Sequence, residues 1–237
     1  MKNQQYKEQY NKDYEKEKQY SKYLLNELLP KVNAIGKRVE DYETQISGID
    51  TILTYNGKEY LCDEKYQQYW INPPSSCIEL RITNKQGNTS DGWFYYSGAT
   101  AYMFVYFLNT TIDKCKRTEE PITFNDINGI ECILVTKDAI KKYMAEQGYR
   151  EEDLEKHINK ANELSKNNKY YKKAEFPIGK MFFTYFPYKY EQAYNIRIPR
   201  SELEEIADEI FVFENINTKN KENYTFLIKK HKKIIYF

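Results

Sequence analysis

Gly48-Ile49-Asp50-Thr51-Ile52-Leu53-Thr54-Tyr55-Asn56-Gly57-Lys58-Glu59-Tyr60-Leu61-Cys62-Asp63-Glu64-Lys65 is the stretch on which the reading of this chain turns. Two runs rich in Ile, Thr, Leu and Tyr flank Asn56-Gly57, a pair suited to the left-handed backbone of a two-residue hairpin turn. With those residues as the turn, Tyr55 faces Lys58, Leu53 faces Tyr60, Thr51 faces Cys62 and Asp50 stands opposite Asp63. Side chains alternate along a strand and opposed residues share a face. Asp50, Asp63 and Lys65 therefore project from one side and Glu64 from the other. Like charges directly opposed on a sheet are destabilising, so the two aspartates ask for a cation between them. A hard divalent ion such as Mg²⁺ suits the place, because one or two carboxylates, water and phosphate oxygens complete its shell. Lys65 stands beside the pair as a cationic donor.

Outward from the hairpin, residues 2 to 29 make a charged, Tyr-rich stretch with Tyr20, Tyr23, Leu24 and Leu28 at helical spacing. Its first half is polar nearly all round and needs a partner surface. Pro30 either interrupts this helix or opens a short turn from Lys31 to Ile35 that Gly36 closes. Beyond the hairpin the strand runs on to Trp70, until Asn72-Pro73-Pro74 breaks it. Cys77 to Thr83 reads as a third strand and Trp93 to Tyr96 as a short one. The apolar run Ala101 to Leu108 suits a strand covered on both faces. Glu131 to Val135 is another buried strand, followed by helices over Lys137 to Gln147 and Glu151 to about Ser165. Phe182 to Tyr185 reads as a strand, and Ser201-x-x-Glu204 is a capping box for a helix reaching Ile210. Two last strands, Phe211 to Phe213 and Tyr224 to Ile228, flank the polar turn Asn217 to Lys221. The alternation predicts an α/β fold, a mixed central β-sheet flanked by helices. We expect a single domain over 1–237: an N-terminal helical segment (1–35), a core sheet (36–135), and α+β additions (136–237).

Composition bounds the function classes. Lys and Arg number 36 against 35 Asp and Glu, a formal charge of +1, so no global basic field advertises nucleic-acid binding and any such binding uses a local patch. The 24 tyrosines accompany abundant Lys, Asn and Ile, a composition that A+T-rich coding explains as readily as a stacking surface does. Four scattered cysteines without a C-x-x-C, beside only two histidines, argue against a structural zinc site. Low cysteine content, a polar N-terminus and the lack of any apolar run of spanning length predict a cytoplasmic protein with no membrane partner. Phosphate-loop, dinucleotide, hydrolase-elbow and zincin motifs are missing from the sequence.

Asp50 on the first hairpin strand, with Asp63-Glu64-Lys65 ending the second and a helix before both, resembles the core signature of the PD-(D/E)XK nuclease superfamily. Ile49 stands where the family name has Pro. The resemblance covers roughly residues 20 to 110 and implies a restriction-endonuclease-like core. It implies Mg²⁺-dependent phosphodiester hydrolysis of DNA, with Mn²⁺ as a substitute. Asp50 and Asp63 would ligate the metal with the main-chain carbonyl of Glu64, and Lys65 would position or deprotonate the attacking water. Gln67, on the same strand face as Lys65, and Glu27, as the acid of the preceding helix, complete the candidate set. Cutting both strands in the restriction manner implies a homodimer.

Two readings compete with catalysis. One is a non-catalytic module on the same fold, binding nucleic acid or protein, with Asp50, Asp63 and Lys65 as a charge ladder on a hairpin face. The other is sugar or base stacking by Trp93, Tyr95 and Tyr96 or by Phe182 to Tyr190, with Lys172, Lys173 and Lys180 on the backbone; core packing of those rings is the simpler account. His157, among Glu and Lys, reads as a surface residue.

Overall fold

The computed structural model describes residues 2–84, 86–112, 114–167, 173–187, 191–214, 225–230 and 233–236. Lys172, Tyr188, Lys189, Tyr190 and the turn at 217–221 lie outside them. Helix α1 (Lys2–Tyr23) passes through a π-helical turn at Leu24–Leu28 and a 3-10 turn at Leu29–Val32 into strand β1 (Ile35–Arg38). Helix α2 (Tyr42–Ile46) and strands β2 (Thr51–Tyr55), β3 (Lys58–Ile71), β4 (Ser75–Asn84) and β5 (Thr89–Asp91) follow. Next come α3 (Trp93–Tyr96), β6 (Ala101–Leu108), β7 (Lys116–Arg117), β8 (Gly129–Thr136), α4 (Lys137–Glu146) and α5 (Leu154–Asn167). Strands β9 (Ala174–Ile178), β10 (Met181–Pro187) and β11 (Glu191–Pro199), helix α6 (Arg200–Ile206), and strands β12 (Glu209–Glu214), β13 (Thr225–Lys230) and β14 (Lys233–Tyr236) complete the chain. Among the described residues no helix is long and apolar enough to cross a membrane.

Packing gathers the chain into two compact units, Met1–Pro73 with Ala99–Val135 and Ala207–Phe237, and Pro74–Gly98 with Thr136–Ile206. The first is built on a sheet in the order β1-β2-β3-β6-β8-β12-β13-β14, with β7 against the end of β3. Strand β3 runs parallel to β6 and antiparallel to β2, so the sheet is mixed and the α/β class expected from the sequence holds. Ala101 to Phe107 are buried on both faces of β6. Met103, Val105 and Phe107 meet Tyr20, Leu24 and Leu28 of the N-terminal helical segment in one core cluster. The Tyr20 hydroxyl donates to the Ile122 carbonyl, so the partner that the polar helix needs is the sheet and its loop.

The reading of Gly36 as a helix terminator is corrected. Asn33, at φ 57, is the left-handed residue that ends the helical segment, and Gly36 lies in β1. A Cβ there would run into Leu25 Cδ2, so glycine lets the edge strand close on the helix. The hairpin turn is as expected, with Asn56 at φ 50 and Gly57 at φ 74, the paired left-handed residues of a type I′ turn. Nothing lies within 4 Å of a Cβ built on Gly57, so Gly57→Ala meets only the backbone penalty. We expect a loss of about 1 kcal/mol, seen as a lower urea midpoint with unchanged slope; an unchanged midpoint would show that the turn adapts freely.

The second unit holds a sheet in the order β5-β4-β11-β10-β9. The strand expected over Cys77 to Thr83 is β4, which pairs with β11 along Ser75 to Asn84. Trp93 to Tyr96, expected as a strand, is one helical turn, with the Tyr95 and Tyr96 amides donating to the Gly92 carbonyl. Helix α6 stops at Ile206, short of Ile210. His157 is half-buried in a stack of rings, 5.6 Å from Tyr149, 5.8 Å from Phe176 and 5.4 Å from Phe183. Burial pushes its pKa down. Phe183 and Tyr185 are buried and Lys180 is paired with Glu202 at 3.0 Å, so core packing takes those two rings of the candidate stacking surface, while Trp93, Tyr95, Phe182 and Phe186 are half-buried and Tyr96 is exposed.

Candidate active site

The hairpin register follows the turn: Thr51 opposite Cys62, Leu53 opposite Tyr60, Tyr55 opposite Lys58. The Asp50 amide donates to the Cys62 carbonyl at 2.9 Å. Strands β2 and β3 are laddered only as far as Cys62, and there the chain before Asp50 turns away. The Asp50 carboxylate takes over as partner, its Oδ2 accepting the Glu64 amide at 2.9 Å. Asp50 is thereby fixed at the point where β3 loses its ladder on one side, and Asp63 and Lys65 emerge beside it.

Asp63 is 3% exposed, and its Oδ1 lies 2.6 Å from Lys65 Nζ. Burial pushes its carboxyl up to about 7; the Lys65 ammonium opposes this, while the Asp50 charge and a hydrogen bond between the two carboxyls add to the rise. Glu64 points to the other face. Its Oε1 accepts from Thr51 Oγ1 at 2.6 Å and its Oε2 from the Tyr66 hydroxyl at 3.0 Å. Arg38 Nη1 reaches Glu64 Oε2 at 3.4 Å. Burial pushes the Glu64 carboxyl up, against the hydrogen bond from Thr51.

The helix acid that feels the charges of this site is Glu17. Burial, opposed by Lys65 and reinforced by Asp50 and Asp13, pushes its carboxyl up to about 7. Asp13, one turn earlier, accepts from the Tyr69 hydroxyl at 2.6 Å. Glu27 is exposed within the turn Leu24–Leu28 and is not among the leading charges acting on Glu17, Asp63 or Glu64. Gln67 is half-buried on β3, beyond Lys65. The structure thus brings together Asp50, Asp63, Glu64 and Lys65, adds Glu17 and Arg38, and leaves Glu27 outside. A signal for Glu17 is present in the sequence: the buried positions Tyr20, Ser21 and Leu24, stepped back by three, four and seven residues, all meet at it.

Among the described residues no three Asp, Glu, His or Cys side chains form a group that holds an ion by itself. The hydrogen-bonded carboxyls of Asp50 and Asp63 nonetheless fit Mg²⁺ chemistry, in which one or two carboxylates suffice and water and phosphate oxygens fill the shell. Compared with protein-family models, with curated proteins and with solved structures, the chain matches none.

Proposed function

We propose that this chain is a divalent-metal-dependent nuclease that hydrolyses phosphodiester bonds in DNA. The observation that carries the reading is the buried Asp63 carboxyl, bonded to the Lys65 ammonium and to the Asp50 carboxyl where the hairpin ladder ends. Asp50 and Asp63, with the Glu64 carbonyl, would hold Mg²⁺ or Mn²⁺. Such an ion lowers the pKa of bound water and neutralises charge growing on the phosphate. Lys65 then presents a preorganised positive charge to the phosphate oxygens. Glu17, titrating near 7, suits the acceptance of a proton from the attacking water. Glu64, tied to Thr51, Tyr66 and Arg38, holds the strand and the guanidinium in place.

The test is incubation of purified protein with plasmid and with single-stranded DNA in Mg²⁺ or Mn²⁺, beside Lys65→Ala. We expect cleavage by the wild type that EDTA abolishes, and a loss of about 100-fold or more in the variant, in line with the removal of one charge-stabilising donor. Cleavage surviving the substitution would remove Lys65 from the mechanism. No cleavage by either protein would favour the non-catalytic module.

A further inference from the structure

Beside this site an open groove of about 1060 Å³ runs between α1 and β1. Tyr14, Lys18 and Lys22 line it from the helix, Lys37 and Arg38 from the strand. The three helix residues recur every four positions and so occupy one helix face. Lys18 Nζ lies 4.5 Å from the centroid of the Tyr14 ring. Of the two acids on the wall, Glu40 and Asp41, Asp41 is engaged in capping α2, accepting the Thr44 amide at 2.8 Å. Four cations therefore face two carboxylates, in a chain whose formal charge is only +1. This is a local basic patch of the kind the overall charge does not reveal. Arg38 belongs both to the groove and to the site, through Glu64. Glu17, on the turn between Tyr14 and Lys18, carries the other link.

We infer that this groove binds single-stranded DNA and leads it past Asp50 and Asp63. The inference rests on the nuclease reading for the second half of that statement only. A duplex is gripped through its phosphates and groove edges, whereas a single strand exposes base faces along with its backbone. This lining alternates the two kinds of surface a single strand needs. Lys18, Lys22 and Lys37 supply phosphate partners, and the half-buried Tyr14 ring and Ile52 supply surface for unstacked bases. Helix α1 thus carries Glu17 within the field of Asp50 and Lys65 and lines the groove with Lys18 and Lys22, Lys18 lying 3.7 Å from Glu15.

The experiment is fluorescence anisotropy with a short dye-labelled single-stranded oligonucleotide in EDTA, so that binding is read without cleavage. Wild type is compared with Lys18→Glu/Lys22→Glu, with Tyr14→Ala, and with the control Lys141→Glu/Lys142→Glu on α4. We expect the groove double variant to bind at least tenfold more weakly, its log–log salt slope smaller by about 1.4, at roughly 0.7 for each phosphate partner removed from a single strand. Tyr14→Ala is expected to bind about fivefold more weakly, as for removal of one base–ring stack, and the α4 control to bind as wild type. Thermal melts of all variants separate misfolding from weakened binding. Wild type that does not bind, a groove double variant that binds as tightly, or a duplex of the same sequence bound more tightly than the single strand would each overturn the assignment. Binding without cleavage in Mg²⁺ upholds the groove and defeats the nuclease; cleavage with unchanged binding by the double variant does the reverse.

Discussion

Replacing Asp63 with Asn is expected to abolish detectable cleavage and, in metal-free buffer above pH 7, to make the protein more stable than wild type. Both effects come from one carboxyl. Asp63 is 3% exposed, and burial next to Asp50 raises it from 3.8 to about 7. The folded chain therefore holds a proton between those values that the unfolded chain has released. A carboxyl with a raised folded pKa contributes stability that is fully present below about pH 4 and is lost as the pH rises through about 7. At 1.36 kcal/mol for each pKa unit, the loss on reaching pH 8 is on the order of 2–4 kcal/mol, the opposing pull of Lys65 being already contained in the shift. Asn keeps the shape, removes the charge and cannot ligate a hard cation as a carboxylate does. Urea unfolding in EDTA at pH 5 and pH 8 reads the effect. The variant's advantage at pH 8 should shrink toward pH 5, and the difference between the two proteins isolates Asp63 from Glu17, which titrates in the same range. An advantage that does not change with pH would show that Asp63 is not the titrating group.

The parts of this site that are legible in the sequence are those set by local chemistry. Asn56 and Gly57 both sit at positive φ, so the turn type, the register and the meeting of Asp50 with Asp63 follow from two adjacent residues. The mixed sheet with helices is legible for the same reason, since the apolar run over β6 and the alternation of helix and strand are local patterns. Partner choice over long distances is not. Strand β4 reads as an ordinary strand, but that it pairs with β11, more than a hundred residues away, is encoded in packing and not in its own pattern. Gly36 looks like a helix terminator until Leu25 is seen against it. Arg38 enters the site because β1 lies beside β2 with Arg38 opposite Thr51, a register that no turn residue announces. Glu27 attracts attention by its closeness to the apolar end of the helix. The acid that feels the charges of Asp50 and Lys65 is Glu17, a position the spacing of Tyr20, Ser21 and Leu24 marks as the same helix face, although which strand that face meets is set by the tertiary packing.

Truncating Phe107 to Ala is expected to destabilise the first unit by about 3–5 kcal/mol, the range for removing a fully buried ring from a core that closes up only in part. Phe107 is fully buried. Its ring centroid lies 4.8 Å from that of Tyr20 and 6.4 Å from that of Tyr66, so it supports α1 and β3 together. Polar along its first half, α1 has little amphipathic reason of its own to dock, and the packing of Tyr20, Leu24 and Leu28 fixes its position. Glu17 lies one turn before Tyr20. A cavity beneath Tyr20 therefore loosens the turn that carries Glu17 to Asp50 and Lys65, and the residual folded protein should cleave more slowly as well as unfold more readily. Tyr20→Phe is the comparison: it keeps the ring packing and leaves the Ile122 carbonyl without the hydroxyl donor, for a loss of about 1 kcal/mol. Urea unfolding of both variants, with cleavage measured where more than about nine-tenths of each is folded, separates packing from positioning. A Phe107→Ala protein that loses stability but cleaves at the wild-type rate under those conditions would show that the strand holds the site without the helix, and would remove Glu17 from it.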